Sequence, residues 1–111
     1  MDSKIAKMAE KKQWKKLEKI TDGKKIDDIV NVAEACGLCK DEEAYNILVS
    51  LLSHNDVSVK VAAVTGLGSL RYDIGSQITR LQWFSDRHAG NAAIAAAVSG
   101  SVAKLRAILR G

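Results

Sequence analysis

Cys36 and Cys39 stand in the run Cys36-Gly37-Leu38-Cys39, the spacing of a dithiol redox pair or of half a zinc site. A structural zinc ion needs two further ligands, and His54 and His88 are the only histidines in the chain. A redox pair belongs at the N-terminus of a helix that follows a strand, where the helix dipole favours thiolate. Here the motif falls near the C-terminal end of a helical pattern, so both cysteines read as small core hydrophobes with reduced thiols. Neither histidine has a carboxylate or hydroxyl at catalytic spacing, and His54 reads as a solvated or capping turn residue. No G-x-x-x-x-G-K-[ST] or other nucleotide-binding glycine pattern is present. The sequence therefore predicts no catalytic residue, no metal site, no cofactor and no enzymatic activity.

What remains is charge. The first 25 residues hold nine lysines against four acids, more than the whole formal net charge of +4. On a helical wheel Lys4, Lys7, Lys11, Lys12, Lys15 and Lys19 cover one side, opposite Ile5, Ala6, Ala9, Leu17 and Ile20, with Trp14 at the border. Such a face attracts phosphate backbones with steep salt dependence, or simply keeps a terminal helix soluble. The apolar side is needed by the core, which argues against a membrane-surface role. No uncharged apolar run of spanning length, signal-peptide pattern or lipidation site occurs, so the expectation is a soluble cytoplasmic protein. Residues 27 to 56 are acidic through Asp27, Asp28, Glu34, Asp41, Glu42, Glu43 and Asp56, and the stretch from Arg71 onward is basic. Asp41, Glu42 and Glu43 sit where a helix begins, where negative charge complements the helix dipole.

These residues must be positioned by helices. Apolar residues make up 47% of the chain, proline is absent and aromatics are 5%, which predicts an all-α domain with a core of Ala, Val, Leu and Ile. Sliding the sequence by about 31 residues superposes Trp14 on Tyr45, Leu17 on Leu48, Ile20 on Leu51, Ile26 on Val57, Val30 on Val61 and Gly37 on Gly68, a stacked-repeat period. In the second copy, Glu43 to Ser53 reads as a helix, His54-Asn55-Asp56 as a turn with Asp56 as N-cap, and Val57 onward as a second helix. The segment LVSLLSHNDVSVKVAAVTGLGSL closely resembles a HEAT repeat. The resemblance is most specific over residues 44–70, and it implies a short α-solenoid that works as a binding surface. Lys60 stands where that family usually has Arg, which weakens a bidentate ladder to Asp.

A shift near 33 places a third unit, with Leu48 on Leu81, Leu51 on Phe84 and Val61 on Ile94. One domain of three helix pairs results, over residues 2–39, 41–70 and 76–109. Its helices are Asp2 to Ile20 with Ile26 to Leu38, then the pair around Asp56, then Ser76 to His88 with Asn91 to Leu109. The helix from Val57 is apolar nearly all round and must lie mid-stack, with Gly66 and Gly68 admitting close neighbours. Its narrow polar strip, Ser58, Thr65 and Ser69, faces outward in the layer that lines the concave surface of the resembled family. Internal alignment adds Asp27, Asn31 and Glu34, with Asn91 a weaker member. Phe84 aligns with core Leu51, leaving Trp83 free as an exposed contact.

On the last helix Ile94, Val98, Val102, Leu105, Ile108 and Leu109 form a wide apolar stripe with no later unit beyond it, and Ser99, Gly100 and Ser101 permit close helix contact. This suggests a homodimer through the C-terminal end. The favoured function is a non-catalytic scaffold or protein-binding module. A nucleic-acid-binding module using the Lys-rich first helix stands as the alternative. HEAT-like repeats also accompany lyase subunits, but no residue here carries such chemistry.

Overall fold

A computed structural model describes residues 3–111, and all seven of its elements are helices. They are α1 (Ser3–Glu10), α2 (Trp14–Thr21), α3 (Ile26–Gly37), α4 (Glu42–Leu51), α5 (Val57–Ser69), α6 (Ile74–Arg87) and α7 (Ala92–Arg110). The all-α expectation holds, and no strand occurs among the described residues.

The expected single helix from Asp2 to Ile20 is instead two, with Asp2 itself outside the described residues. Lys12 adopts φ 56°, and the Lys12 N–H donates to the Ala9 carbonyl while the Gln13 N–H donates to Met8. That pair of bonds is a Schellman stop, which normally places glycine at the left-handed position. Nothing in Lys11-Lys12-Gln13 signals such an end by propensity. Breaking the chain here lets Ile5 and Ala9 of α1, and separately Leu17 of α2, reach the core. Lys12 is further held by an ion pair with Asp41 at 3.2 Å.

The residues superposed by the shift of about 31 fall on α2 and α3 in the first expected unit and on α4 and α5 in the second, while α1 carries none of them. α5 is the centre of the molecule: it packs most extensively against α7 on one side and α3 on the other, with α4 beside it. The approach is close because the residues at the crossings are small. A Cβ on Gly37 would lie 2.9 Å from the Gly66 Cα. A Cβ on Gly68 would lie 2.8 Å from the Ser101 Cα and overlap its side chain. Ser101 donates to the Val64 carbonyl at 3.0 Å and is buried, so it locks α7 to α5 rather than facing a second copy.

The core consists of Leu, Ile, Val and Ala together with Cys36, and Phe84 is the aromatic buried among them. Leu17, Leu48 and Leu81, related by the repeat shifts, are all fully buried. The radius of gyration is 13.0 Å, close to the roughly 13 Å of a folded globule of this length. α7 is the one helix among the described residues long and apolar enough to cross a membrane by composition, although Lys104 and Arg106 interrupt it. In the fold it packs on α5 and α6 through Ile94, Val98, Val102 and Leu105.

Candidate functional site

The polar strip on α5 opens onto a groove between α3 and α5. Glu34, Leu38, Ser58, Thr65 and Ser69 rim it, Val30, Val61, Ala62, Gly37 and Gly66 form its floor, and its volume is about 450 Å³. Gly37 and Gly66 carry no side chain where α3 and α5 cross, so the two backbones meet there and form part of the groove floor. Its floor is apolar and its rim offers one carboxylate and three hydroxyls. This arrangement suits an apolar side chain flanked by polar or cationic groups.

Four of the predicted strip residues, Glu34, Ser58, Thr65 and Ser69, thus come together. Asp27 and Asn31 lie on α3, exposed and half-buried respectively, and do not line the groove. Ser58 also helps to start its own helix, since its hydroxyl and backbone N–H both donate to Asp56 Oδ1, the backbone bond at 2.8 Å. Asp56 accepts from Val59 N–H as well, confirming it as the N-cap of α5. The Ser58 hydroxyl, then the backbone donors, hold the Asp56 carboxyl below its ordinary 3.8. Asn91 is not a strip residue but the N-cap of α7, its Oδ1 accepting from the Ile94 N–H at 3.0 Å.

Leu38 was not among the expected contacts, yet it is 72% exposed at the groove edge. A signal for it existed: the shift of about 31 that superposes Gly37 on Gly68 also places Leu38 on Ser69, an outward position.

Trp83 is exposed, as expected, but it stands on α6 away from this groove, with the Arg87 guanidinium 4.5 Å from its ring centroid. The six lysines of the predicted basic patch are all exposed, and the break at Lys12 distributes them. Lys4 and Lys7 sit on α1, Lys15 and Lys19 on α2, and Lys11 and Lys12 in the connection. The acidic triplet behaves as expected of a helix start: Asp41 is the N-cap residue of α4, and Glu42 and Glu43 occupy its first turn.

Cys36 is buried in the last turn of α3, and Cys39 is half-buried just beyond it. Burial, and secondarily the neighbouring Cys39, pushes the Cys36 thiol up to about 12. Cys39 is also raised, by burial first and Asp41 second, and its thiol donates to the Ala35 carbonyl. Such thiols are poor nucleophiles at neutral pH. No cluster of three or more metal-ligating side chains occurs among the described residues.

His54 caps its turn by accepting the Asp56 N–H at Nδ1. Sequence reasoning missed Gln77, a fully buried polar side chain whose amide donates to the Leu70 and Tyr72 carbonyls and pins the α5–α6 connection.

Fold and site together define an all-helical protein with an apolar groove between α3 and α5. Comparison of the chain with protein-family models, with characterised proteins and with solved structures finds no match.

Proposed function

We propose that this chain is a non-catalytic protein-binding or scaffold module built as a short HEAT-like α-solenoid, with the α3–α5 groove as its contact surface. The groove carries the reading, because it exposes Leu38 and an apolar floor between Glu34 and the hydroxyls of Ser58, Thr65 and Ser69. The solenoid reading draws support from the series Gly37, Gly68 and Ser101. These residues are related by the repeat shifts, and each lies at a close helix crossing, Gly37 of α3 against α5 and Gly68 of α5 against Ser101 of α7. The partner is a protein segment presenting an apolar side chain to the floor and a cation to Glu34.

Thr65→Arg and Ser69→Arg place bulk and charge over the groove from exposed positions, so folding is retained. Quantitative affinity capture from a lysate of the source cells tests the reading. A partner retained by the wild type and depleted about tenfold or more by both variants supports it, since a blocked contact costs more than about 1.4 kcal/mol. Retention unaffected by either variant overturns it.

The second reading is nucleic-acid binding through the lysines. Lys7, Lys11, Lys15 and Lys19 are exposed and make no ion pair among the described residues, whereas Lys12 is engaged by Asp41. Labelled duplex and single-stranded DNA, titrated at low and near-physiological salt, tests this directly. Binding that weakens steeply with salt and disappears in Lys7→Glu/Lys11→Glu/Lys15→Glu selects it over the groove. Homodimerisation through α7 is proposed on Leu109, 59% exposed, and a concentration-independent monomer mass in light scattering sinks it.

A further inference from the structure

A second cleft, of about 350 Å³, lies between α4, α5 and α6, away from the α3–α5 groove. Lys60, Arg80, Arg87 and His88 converge on it, and no carboxylate lines it. None of the three cations makes an ion pair among the described residues. Asp86, the neighbouring acid on α6, lines a separate depression against α7. The charge in this cleft is therefore uncompensated.

Each cation is nevertheless held in place by a neutral partner. Arg80 Nε donates to the Tyr45 hydroxyl at 3.1 Å. Arg87 stacks on the Trp83 indole. His88 Nδ1 lies 3.0 Å from the Phe84 carbonyl and so carries the proton, which leaves Nε2 to accept from the Lys60 ammonium at 3.4 Å. Lys60 keeps two further N–H donors and both arginines keep most of theirs. Cations fixed by neutral groups form an anion site that loses little side-chain freedom on binding.

The shape beside it specifies what carries the anion. Trp83 and Arg80 also line a neighbouring open depression with Ser76 and Thr79, which Arg87 does not reach. The indole thus stands between the cationic cleft and an uncovered surface fit for stacking. Aromatic stacking beside a cleft lined by unpaired cations is the chemistry that recognises a nucleotide.

We propose that the α4–α5–α6 cleft binds a nucleoside 5′-phosphate, its phosphoryl group between Lys60, Arg80 and Arg87 and its base against Trp83. The ligand is either a free nucleotide or the phosphorylated end of a single strand, which share this chemistry. The site is independent of the α3–α5 groove and of the N-terminal lysines.

The test is a titration of the full chain, followed by calorimetry and tryptophan fluorescence, with adenosine 5′-monophosphate, adenosine, inorganic phosphate and a short 5′-phosphorylated oligonucleotide. The nucleotide is expected to bind at least about tenfold tighter than adenosine or phosphate alone, because only it makes both charge-assisted bonds and a stack. Lys60→Gln and Arg87→Gln should each weaken it about tenfold or more, the loss of one charge-assisted hydrogen bond, while Lys19→Gln leaves it unchanged. Trp83→Leu should reduce the advantage of the nucleotide over phosphate. Helix content by circular dichroism verifies that each variant folds. Tighter binding of the oligonucleotide assigns the site to a strand end, and parity assigns it to the free nucleotide. No saturable binding at millimolar nucleotide, or binding equally weakened by Lys19→Gln, overturns the proposal.

Discussion

Asp56 does at one residue what a turn of helix needs. Its carboxylate receives the Ser58 hydroxyl and the first N–H groups of α5, and these donors favour the ionised form. The folded-state pKa therefore lies below 3.8, so the stabilisation is complete above that value and is lost as pH falls through the lower, folded one. Asp56→Asn keeps an acceptor at the cap but removes the titration. Its urea midpoint should match the wild type less closely at neutral pH than in acid, because the wild type loses its charged cap as the pH drops. Parallel midpoint curves for the two proteins would place the acid sensitivity elsewhere. Gln77 shows the opposite kind of residue, a polar group with no path to solvent. It satisfies two carbonyls at the α5–α6 connection while its own Oε1 stays without a partner. Removing the amide leaves both carbonyls short of a donor, and Gln77→Leu should cost about 1–3 kcal/mol in denaturant titration.

At the scale of elements, the crossings of α5 decide how closely three helices share one core. Gly68 sits against the Ser101 backbone and side chain, so an added methyl has to push α7 away. Gly68→Ala should destabilise by about 1–3 kcal/mol, the cost of overpacking, despite alanine's better helix propensity. Gly100, on the exposed side of α7, has nothing within 4 Å of a built Cβ. Gly100→Ala should therefore stabilise by roughly 0.5–1 kcal/mol. Urea unfolding of the two variants reads both, and equal effects would contradict the asymmetry of the α7 faces. The α1–α2 break is the other decision made at this scale. Lys12 tolerates a left-handed backbone there because the carbonyls it frees at the end of α1 are taken up by the Lys12 and Gln13 N–H groups.

Across the whole molecule, α5 is shared by its neighbours on both sides, so the two ends have a common core. Trp14 lies at one end on α2 and Trp83 at the other on α6. Trp14→Phe and Trp83→Phe leave single reporters of opposite ends. Their fluorescence transitions in urea should coincide with each other and with the loss of helix, the mark of one cooperative unit. Separated midpoints would mean that the units unfold independently, as loosely coupled repeats do. Charge is likewise distributed over the whole chain: in sequence, the acidic stretch 27–56 lies between the lysines of α1 and α2 and the cleft cations Lys60, Arg80 and Arg87.

The sequence by itself determined the helices after Thr21, the central place of α5, the Asp56 cap and the assignment of Cys36 and Cys39 to packing. Each follows from a local signal or from the internal repeat: apolar periodicity, a capping residue at a turn, and the shift of about 31 that superposes Cys36 on Leu67 and Cys39 on Leu70. The same repeat brought Glu34, Thr65 and Ser69 onto one surface. Tertiary structure alone decided the rest. It broke the first helix at a residue with no breaking propensity, turned Ser101 inward onto α5, made Asn91 a cap and separated Trp83 from the groove. It also gathered Lys60 of α5, Arg80 and Arg87 of α6 and His88 at the C-terminal cap of α6 into one cleft. The physical reason is common to these cases. A wheel records the directions in which side chains leave one helix, whereas a clash, a hydrogen bond between helices or a converging set of cations depends on where the next helix comes to rest.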